Sequence, residues 1–557
     1  AAAGIAGIIK MIQAMRHGVM PKTLHVDEPT PHVDWTAGNV ELLTEAREWP
    51  ERGRPRRAGV SSFGISGTNA HVILEQAQSF VPEHLRDSDA GPRQVVGKAL
   101  LPWVLSGKTT AALAAQADRL RRFVAADNVP VADVATALAR RSVFEHRAVV
   151  LGSGVEQLAA GLTALAAGDR APGVVSGRAR VSDPRTVLVF PGQGSQWNGM
   201  GRELLASAPV FAQHMQAVDD EMSGLVDWSL RDVVSGSAAD VDLDRVDVVQ
   251  PVLFAVMTSL ARLWESLGVR PQMVIGHSQG EIAAAYVAGA LSLADAVRVV
   301  VFRSRAIAGI AGAGAMVSMA ASDDRARELI APWDVQLSVA AINGPAATVV
   351  SGAAGACSEL VAWCERQDVW ARLIPVDYAS HSVQMDGLRE QIIESLTGIS
   401  PRSVPTGGPV FVSAVTGAAI DTADLDATYW FTNLRETVRF EAALRSAREA
   451  GCGVFVEASP HPVLIAAIQD TLDELSRQEA ENGGTPGFSD PLAGNSAVVV
   501  ESLRRDDGGL ARFYGSAAEL FVRGGPVDWT AITPQTRTTP LPPYPFQHQR
   551  FWLNPQP

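Results

Sequence analysis

The sequence predicts an α/β fold. Residues 273–275 form an apolar run that enters a glycine-bounded turn, and the helix-compatible segment 281–286 leaves that turn. A second apolar run, 187–190, enters another glycine-punctuated turn. Strand-like and alanine-rich helical patterns also alternate between residues 100 and 182. Short apolar runs that alternate with helical segments are typical of an α/β fold.

Length and composition limit the possible classes of protein. The chain has 557 residues, which suggests about three or four domains, and its 47% hydrophobic and 19% charged residues exclude general disorder. A net charge of −13 argues against a nucleic-acid partner, because phosphate binding needs a basic face. The weakly polar stretch 306–321 is shorter than the roughly 18 residues of a membrane span, so we expect no such span. The three cysteines are too few and too irregularly spaced for a disulfide framework or a metal site, so we expect a soluble, cytoplasmic protein that binds no metal.

Changes in composition divide the chain into four regions. A polar break at 87–92 follows the first region, and a Gly- and Pro-containing tract at 481–496 precedes the last one. Within the first region, residues 69–74 are predicted to form a buried strand, and the Pro-rich residues 541–547 are predicted to run extended over a neighbouring surface. The predicted regions are 1–77, 78–185, 186–480 with a small inserted α/β subdomain at 315–377, and 481–557.

The turn after residues 273–275 has the sequence Gly-His-Ser-Gln-Gly, at 276–280. A G-x-S-x-G motif between a strand and a helix is a nucleophile elbow, in which glycines allow the sharp turn that exposes the serine oxygen. The free N–H groups of the following helix point at the developing oxyanion. We therefore predict acyl transfer through an ester on Ser278.

A serine nucleophile needs a general base within hydrogen-bond reach, and histidine is the commonest such base. His381 follows a strand-like run at 373–376, and loops at strand ends often carry catalytic groups. The alternative for a single loop histidine is mere exposure to solvent. His277, inside the elbow, is expected to pack or bond locally, and His461 is a candidate for a supporting role.

Two further features can serve acyl transfer. The glycine-punctuated turn 190–196 offers the backbone N–H of Gln193 to an oxyanion, unless it is only a turn, and the N–H of Gln279 would be the second donor. Arg303 lies in an apolar helical context, where a guanidinium needs an anionic partner. That partner is either a protein carboxylate or the carboxylate of a substrate.

Together these residues resemble the acyltransferase domain of modular type I polyketide synthases, in the malonyl-CoA:acyl-carrier-protein transacylase family. The turn 190–196, the pentapeptide 276–280, Arg303 and His381 occur in the order of that family. The resemblance implies that Ser278 is the nucleophile and His381 the general base and acid. It also implies an oxyanion hole from the backbone of Gln193 and Gln279, and an extender-carboxylate clamp at Arg303. In this family a backbone carbonyl steadies the histidine, and the matching position is Asn433.

The resemblance extends to the flanking regions and to the fold. It implies a hydrolase-like parallel-sheet core with the nucleophile elbow and a small inserted ferredoxin-like subdomain. Residues 1–77 resemble the end of a ketosynthase, a thiolase-fold remnant in which Lys10 matches an active-site lysine and the motif 61–75 is retained. Residues 78–185 would be the α/β linker domain between ketosynthase and acyltransferase. Residues 481–557 would be the linker that follows the acyltransferase and packs on the ketosynthase.

Substrate choice is also implied by resemblance. Malonyl-selective relatives carry His-Ala-Phe-His where this chain has Tyr-Ala-Ser-His at 378–381, a pattern associated with methylmalonyl selection. Ser380 stands where those relatives have Phe, and the smaller side chain leaves volume for an α-methyl group. Tyr378, Ser380 and Gln250 are therefore predicted to bind substrate, and Gln279 agrees with the pattern. One methyl group in a pocket changes the binding free energy by only about 1–3 kcal/mol, so malonyl selectivity remains an alternative. A further alternative is that these residues only pack and do not influence substrate choice.

The predicted function is the transfer of a methylmalonyl unit from CoA to the phosphopantetheine thiol of an acyl carrier protein. The reaction would be ping-pong, in a multifunctional enzyme of antibiotic biosynthesis, with the ketosynthase as neighbour and no cofactor bound by this domain. One alternative is a serine hydrolase or thioesterase, which would need an acidic third member and no carboxylate clamp. Another is a non-catalytic scaffold that spaces neighbouring domains.

Overall fold

The computed structural model describes residues 2–77, 100–127, 129–180, 185–238, 240–312, 314–481, 497–534 and 539–549. Two compact units are present, Ala1–Val96 and Gly97–Pro557. The break predicted at 87–92 and nearly all of the tract 481–496 lie outside the described residues.

The first unit contains one long helix and two antiparallel strand pairs, in the order α1 (Ala2–His17), β1 (Val19–Met20), β2 (Arg47–Glu48), β3 (Arg57–Phe63) and β4 (Asn69–Glu75). The predicted strand at 69–74 forms, but the prediction that it is buried is wrong. All side chains of β4 except that of Leu74 are exposed. Helix α1 packs against the β3–β4 hairpin, and two strands with one helix are too few to enclose both faces.

The second unit begins with an α/β domain that contains a three-stranded antiparallel sheet in the order β5-β6-β7. Trp103 of β5 and Val150 of β6 lie in its core, beside helix residues such as Leu158 and Leu162. Its elements are β5 (Leu101–Gly107), α2 (Thr110–Asp127), α3 (Val131–Ala139), β6 (His146–Gly152), α4 (Val155–Ala167) and β7 (Val174–Arg178).

The main body is built on a six-stranded sheet, and the predicted parallel-sheet core is confirmed. Its order is β15-β14-β9-β8-β16-β17, parallel except for the short edge strand β15. Along β8, Leu188 and Phe190 face one apolar core while Val187 and Val189 face the other, because alternate side chains of a strand point to opposite faces. The first half contains β8 (Thr186–Phe190), α5 (Arg202–Ser207), α6 (Pro209–Met222), α7 (Leu230–Ser235), α8 (Val246–Ser266), β9 (Met273–Gly276), α9 (Gly280–Ala288) and α10 (Leu293–Ala308).

Helix α8 is the central helix of the larger core. Among the described helices, it alone is long and apolar enough to cross a membrane, and 89% of its apolar window is buried inside the protein. Its apolar character is therefore explained by packing in the core, against α6 and α10 among others.

A small subdomain is inserted after α10. Its elements are β10 (Gly314–Met319), α11 (Asp323–Ile330), β11 (Leu337–Gly344), β12 (Ala347–Ala353), α12 (Ala354–Arg366) and β13 (Ala371–Ile374). The four strands are antiparallel neighbours in the order β11-β12-β10-β13. This β-α-β-β-α-β sequence of elements is that of the split βαβ motif.

The chain then completes the main body. The elements are α13 (Arg389–Ser395), β14 (Val410–Ser413), β15 (Ala418–Ala419), α14 (Ala427–Arg435), α15 (Phe440–Glu449), β16 (Val454–Glu457), α16 (Ile465–Glu481), β17 (Val498–Glu501) and α17 (Leu510–Arg523), with short 3₁₀ helices at Ala331–Trp333, Val383–Leu388, Thr422–Asp424 and Trp529–Ala531. Strand β17 pairs in parallel with β16, so residues 498–501 belong to the main sheet although the sequence places them in the last linker.

Helix α17 and the Pro-rich residues 541–547 lie against the domain formed by β5–β7. Helix α17 packs on β6 and β7. The Lys108 N–H donates to the Tyr544 hydroxyl over 2.8 Å, and the Arg141 guanidinium donates to the Pro542 carbonyl over 2.6 Å. These Pro-rich residues do run over a neighbouring surface, but that surface belongs to the β5–β7 domain, whereas the resemblance implied packing on the ketosynthase.

Candidate active site

The elbow follows β9, an interior strand of the main sheet, and α9 begins two residues after Ser278. Ser278 has φ of 53°, a left-handed conformation that costs free energy for a side-chain-bearing residue. A Cβ on Gly276 would lie 2.1 Å from the Glu281 nitrogen, and one on Gly280 would lie 2.1 Å from the Phe190 carbonyl oxygen. The two glycines are needed because strand and helix approach this closely, which leaves the serine at the apex.

The Ser278 side chain contacts His381. Ser278 Oγ lies 2.9 Å from His381 Nε2. On the other side of the ring, Nδ1 lies 2.7 Å from the backbone carbonyl oxygen of Glu436. A carbonyl oxygen only accepts, so Nδ1 carries the hydrogen and Nε2 presents its lone pair to the serine hydroxyl.

A carbonyl does hold the histidine, but the prediction that it belongs to Asn433 is wrong. Asn433 lies in the last turn of α14, whereas Glu436 is the residue that ends this helix in an extended conformation. The carbonyl that accepts from His381 Nδ1 is that of Glu436.

Burial sets the protonation state of the histidine. His381 is 4% exposed, and burial together with the nearby positive charge of Arg303 lowers its pKa to about 3. Both effects disfavour the imidazolium ion. The ring is thus neutral at neutral pH, which is the form that accepts a proton.

Arg303 extends from α10 into the core and is 1% exposed. Its guanidinium donates to Gln250 Oε1 over 2.9 Å and to Asn433 Oδ1 over 3.3 Å. Within the part of the chain that the structure describes, Nε has no hydrogen-bond partner and no carboxylate lies within ion-pair distance. Burial lowers its pKa to about 10, so the group remains a buried cation with unused donor capacity.

A buried carboxylate, Glu281, lies in the first turn of the helix after the elbow. It accepts from the backbone N–H of Ala414, from the Tyr429 hydroxyl over 2.7 Å and from Asn433 Nδ2 over 2.8 Å. Asn433 Nδ2 also donates to the Ser278 carbonyl over 3.2 Å. Asn433 thus connects the elbow, the carboxylate and the Arg303 guanidinium.

The loop that carries His381 also carries two residues predicted to bind substrate. The Tyr378 hydroxyl donates to Gln193 Oε1 over 2.7 Å and also bonds to Gln250, and burial raises the pKa of Tyr378 to about 12. Ser380 is 6% exposed. A Cβ on Gly314 would lie 2.4 Å from the Ala379 nitrogen, so glycine lets β10 approach this loop. The structure therefore brings Gln193, Gln250 and Tyr378 together beside Arg303.

The backbone groups predicted to form an oxyanion hole belong to Gln193 and Gln279. Within the described residues, neither N–H donates to a backbone or side-chain oxygen of the protein. The Gln279 side chain is 1% exposed, and neither its oxygen nor its nitrogen has a hydrogen-bond partner within the described residues. Their joint role as an oxyanion hole stays a prediction.

The other two histidines considered from the sequence have local partners. His277 Nε2 lies 2.8 Å from Asn343 Oδ1 of β11, which links the elbow to the small subdomain, and burial lowers the pKa of His277. His461 Nδ1 accepts from the Arg505 backbone N–H over 3.2 Å. Neither ring bonds to Ser278.

Sequence reasoning missed Glu436, Glu281, Tyr429 and Asn343. A backbone carbonyl has no sequence signature, so Glu436 could not be found that way. Glu281 did have one, because it is a single charged residue in the otherwise apolar segment 281–285. Buried charges are rare unless they are paired or hydrogen-bonded.

Three family models match the chain. Residues 187–526 match the acyl transferase domain, residues 29–151 the ketoacyl-synthetase C-terminal extension, and residues 1–27 the C-terminal domain of beta-ketoacyl synthase. The chain therefore belongs to the acyl transferase domain family. More particularly, it is an acyltransferase domain of a modular polyketide synthase that follows the C-terminal remnant of a ketosynthase and its extension.

Curated relatives match over the whole chain. It is 53% identical over 556 residues to mycoketide-CoA synthase of Mycobacterium tuberculosis, which covers 100% of this chain and 13% of that protein. It is 48% identical over 557 residues to erythronolide synthase EryA3 of Saccharopolyspora erythraea, which covers 99% of this chain and 16% of that one. The chain thus spans less than a fifth of the length of these relatives.

Solved structures agree with this assignment. The acyltransferase domain from module 8 of the salinomycin polyketide synthase is 48% identical with a TM-score of 0.72, covering 78% of this chain and 98% of that one. The acyltransferase domain of SpnD, in complex with 2-(pent-4-yn-1-yl)malonyl, is 27% identical with a TM-score of 0.65, covering 78% and 98%.

Proposed function

We propose that this chain moves a methylmalonyl extender unit from CoA to the phosphopantetheine thiol of an acyl carrier protein, by a ping-pong mechanism on Ser278. The observation that carries the proposal is the 2.9 Å contact between Ser278 Oγ and the unprotonated Nε2 of a neutral, buried His381. A serine hydroxyl is a weak nucleophile until such a base accepts its proton.

In the first half-reaction, His381 Nε2 takes the Ser278 proton while Oγ attacks the thioester carbonyl carbon. The backbone N–H groups of Gln193 and Gln279 stabilise the oxyanion. The C–S bond then breaks, and the CoA thiolate leaves with the proton from His381. The acyl group is now an ester on Ser278.

The second half-reaction runs the same steps toward the carrier protein. His381 takes the proton of the phosphopantetheine thiol, and the sulfur attacks the ester carbonyl. Ser278 Oγ leaves and recovers its proton from His381. The two half-reactions together consume no proton and no electron. Ser278, His381 and the backbone N–H groups of Gln193 and Gln279 are therefore sufficient for the transfer.

The carboxylate of the extender unit is proposed to bind Arg303. This guanidinium is buried, and its Nε has no partner in the described part of the chain. A substrate carboxylate would compensate the charge and accept from the unused donor. Since the charge of Arg303 helps to lower the pKa of His381, a bound carboxylate would also raise that pKa and strengthen the base.

Selection of methylmalonyl over malonyl is proposed for the loop 378–381. Ser380 is a small residue next to His381, and the buried Tyr378 bonds to Gln193 beside it. A small side chain here leaves volume for an α-methyl group. The alternative is a transferase of the same family that prefers malonyl-CoA, since one methyl group contributes only about 1–3 kcal/mol.

A serine hydrolase is the other candidate, and two observations favour transfer. The partner of His381 Nδ1 is a carbonyl where a hydrolase of this kind would carry an acidic residue. The buried guanidinium of Arg303 is also available to bind the free carboxylate of a dicarboxylic acyl group.

The two candidates differ in how the acyl-enzyme breaks down. Acylated protein is mixed with a phosphopantetheine-loaded carrier protein from a related polyketide synthase or with buffer alone, and the mass of both proteins is followed. A transferase passes the acyl group to the carrier faster than it loses it to water. Equal loss in both mixtures, with no carrier adduct, would favour the hydrolase.

A further inference from the structure

We propose that Glu281 is a positioning residue that, through the Asn433 amide, orients Arg303 for the carboxylate of the extender unit. This inference rests on the proposed function and adds a residue that does not itself touch the substrate. Three observations carry it: the donors around Glu281, the orientation of Asn433 and the distance between the two buried charges.

The carboxylate of Glu281 is surrounded by donors. Ala414 N–H donates to Oε1, while the Tyr429 hydroxyl and Asn433 Nδ2 both donate to Oε2. Tyr429 has only one hydroxyl hydrogen, so its 2.7 Å contact with Ser413 Oγ requires the serine to donate. This arrangement is satisfied only when both oxygens of residue 281 accept.

The donors decide which way the Asn433 amide points. Nδ2 uses its two hydrogens on Glu281 Oε2 and on the Ser278 carbonyl, so Oδ1 faces the Arg303 guanidinium at 3.3 Å. Rotating the amide by half a turn would place Oδ1 against a carboxylate and the NH₂ group against a cation. Glu281 therefore holds Asn433 in the orientation that gives Arg303 an acceptor.

When ionised, Glu281 also compensates the charge of Arg303 without occupying its donors; burial raises the pKa of Glu281 to about 7. The two groups interact electrostatically, but they form no ion pair within 4 Å in the described structure. A direct ion pair would stabilise the buried guanidinium and block the substrate carboxylate at the same time. An asparagine between the charges keeps the guanidinium oriented and its Nε free.

The test compares Glu281→Gln with the unaltered protein on two substrates, methylmalonyl-CoA and propionyl-CoA, which lacks the carboxylate. Glutamine keeps the size of the side chain but places an NH₂ group against one of the donors. We expect kcat/KM for acylation by methylmalonyl-CoA to fall about tenfold or more, mainly through KM. Propionyl-CoA should change less than about twofold, so the preference for the dicarboxylic substrate shrinks.

Glu457→Gln is the matched control. Glu457 is also a fully buried glutamate of the main body, and it accepts from the backbone N–H groups of Val463 and Leu464. Its replacement should lower the melting temperature but leave the substrate preference unchanged. A purely structural role for Glu281 predicts the same behaviour in both variants, and an unchanged preference in folded Glu281→Gln would overturn the proposal.

If Glu281→Gln does not fold, Asn433→Ala tests the same connection. Loss of preference for methylmalonyl-CoA over propionyl-CoA would support the proposal, and a retained preference would overturn it. The unaltered protein separates this inference from the proposed function. If it forms no acyl-enzyme, the proposed function fails; if it acylates with a clear preference that Glu281→Gln retains, only the inference fails.

Discussion

His381 Nδ1 donates a 2.7 Å hydrogen bond to the Glu436 carbonyl, and this bond fixes which ring nitrogen faces Ser278. The partner is neutral, so it orients the ring without supplying the negative charge that would hold the pKa high. Burial and Arg303 instead lower the pKa to about 3. His381 is therefore unprotonated at neutral pH and can accept a proton. Its low pKa makes it a weak base until, as proposed, the substrate carboxylate binds Arg303.

The pH profile of acylation follows from this shift. Because the pKa of His381 is lowered from 6.5 to about 3, the base form is present above that value and is lost only as the pH falls through it. We expect kcat/KM for acylation to show no acid limb near pH 6.5, measured by rapid quench between about pH 5 and pH 9. Because burial raises the pKa of Glu281 to about 7, the profile is measured in Glu281→Gln as well. An acid limb near 6.5 that persists in this variant, with the protein still folded, would show that the ring is not buried as described.

Replacing Arg303 separates dicarboxylic from monocarboxylic substrates. Arg303→Ala should reduce kcat/KM for methylmalonyl-CoA by about 100-fold or more, because a desolvated, charge-assisted pair is lost. Acylation by propionyl-CoA should be retained or increase. The ratio of the two rates from competition mass spectrometry measures the effect, and equal losses on both substrates would argue against a carboxylate clamp.

Filling the space at position 380 should change which extender is accepted. In Ser380→Phe the larger ring would occupy the volume proposed for the α-methyl group, and methylmalonyl acylation should fall about 10- to 200-fold relative to malonyl acylation. Ser380→Ala, which adds no volume, is the control and should keep the original ratio. If the phenylalanine variant keeps it too, Ser380 does not line the methyl pocket.

The elbow glycines are predicted to tolerate no side chain. In Gly280→Ala the new Cβ would lie 2.1 Å from the Phe190 carbonyl and 2.6 Å from the Pro191 carbonyl, both of them backbone atoms. We expect the melting temperature to fall by about 5 °C or more, or the protein not to fold. Gly355→Ala, where nothing lies within 4 Å, should have a neutral or slightly positive effect. Equal melting temperatures would contradict the described elbow.

Much of the fold follows from local pattern. The strands β8 and β9 and the helix α9 lie where apolar runs and glycines predict them, because short buried strands and tight turns are specified locally. Strand β17 was not assigned to the sheet, since its pairing with β16 is a contact with residues more than 40 positions earlier. The exposure of β4 was also missed, because a strand pattern does not say what covers each face.

In the site too, local sequence features were predictable, whereas contacts between distant elements were not. Ser278 and His381 were predicted together from a motif and a loop, and the structure joins them at 2.9 Å. The role of Asn433 was misassigned because the group that holds His381 is a backbone atom, whose position depends on where α14 ends. The buried charge of Glu281 does have a sequence signal, but its partners come from α14 and from the residue after β14, and no local pattern identifies them.

Acyl transfer through Ser278 is tested most directly by the intact mass of the protein after brief exposure to equal amounts of methylmalonyl-CoA and malonyl-CoA, with Ser278→Ala as control. We expect a dominant methylmalonyl adduct on the unaltered protein and none on the variant. A dominant malonyl adduct would contradict the proposed selectivity, and an adduct that persists in Ser278→Ala, or none on either protein, would contradict the proposed nucleophile.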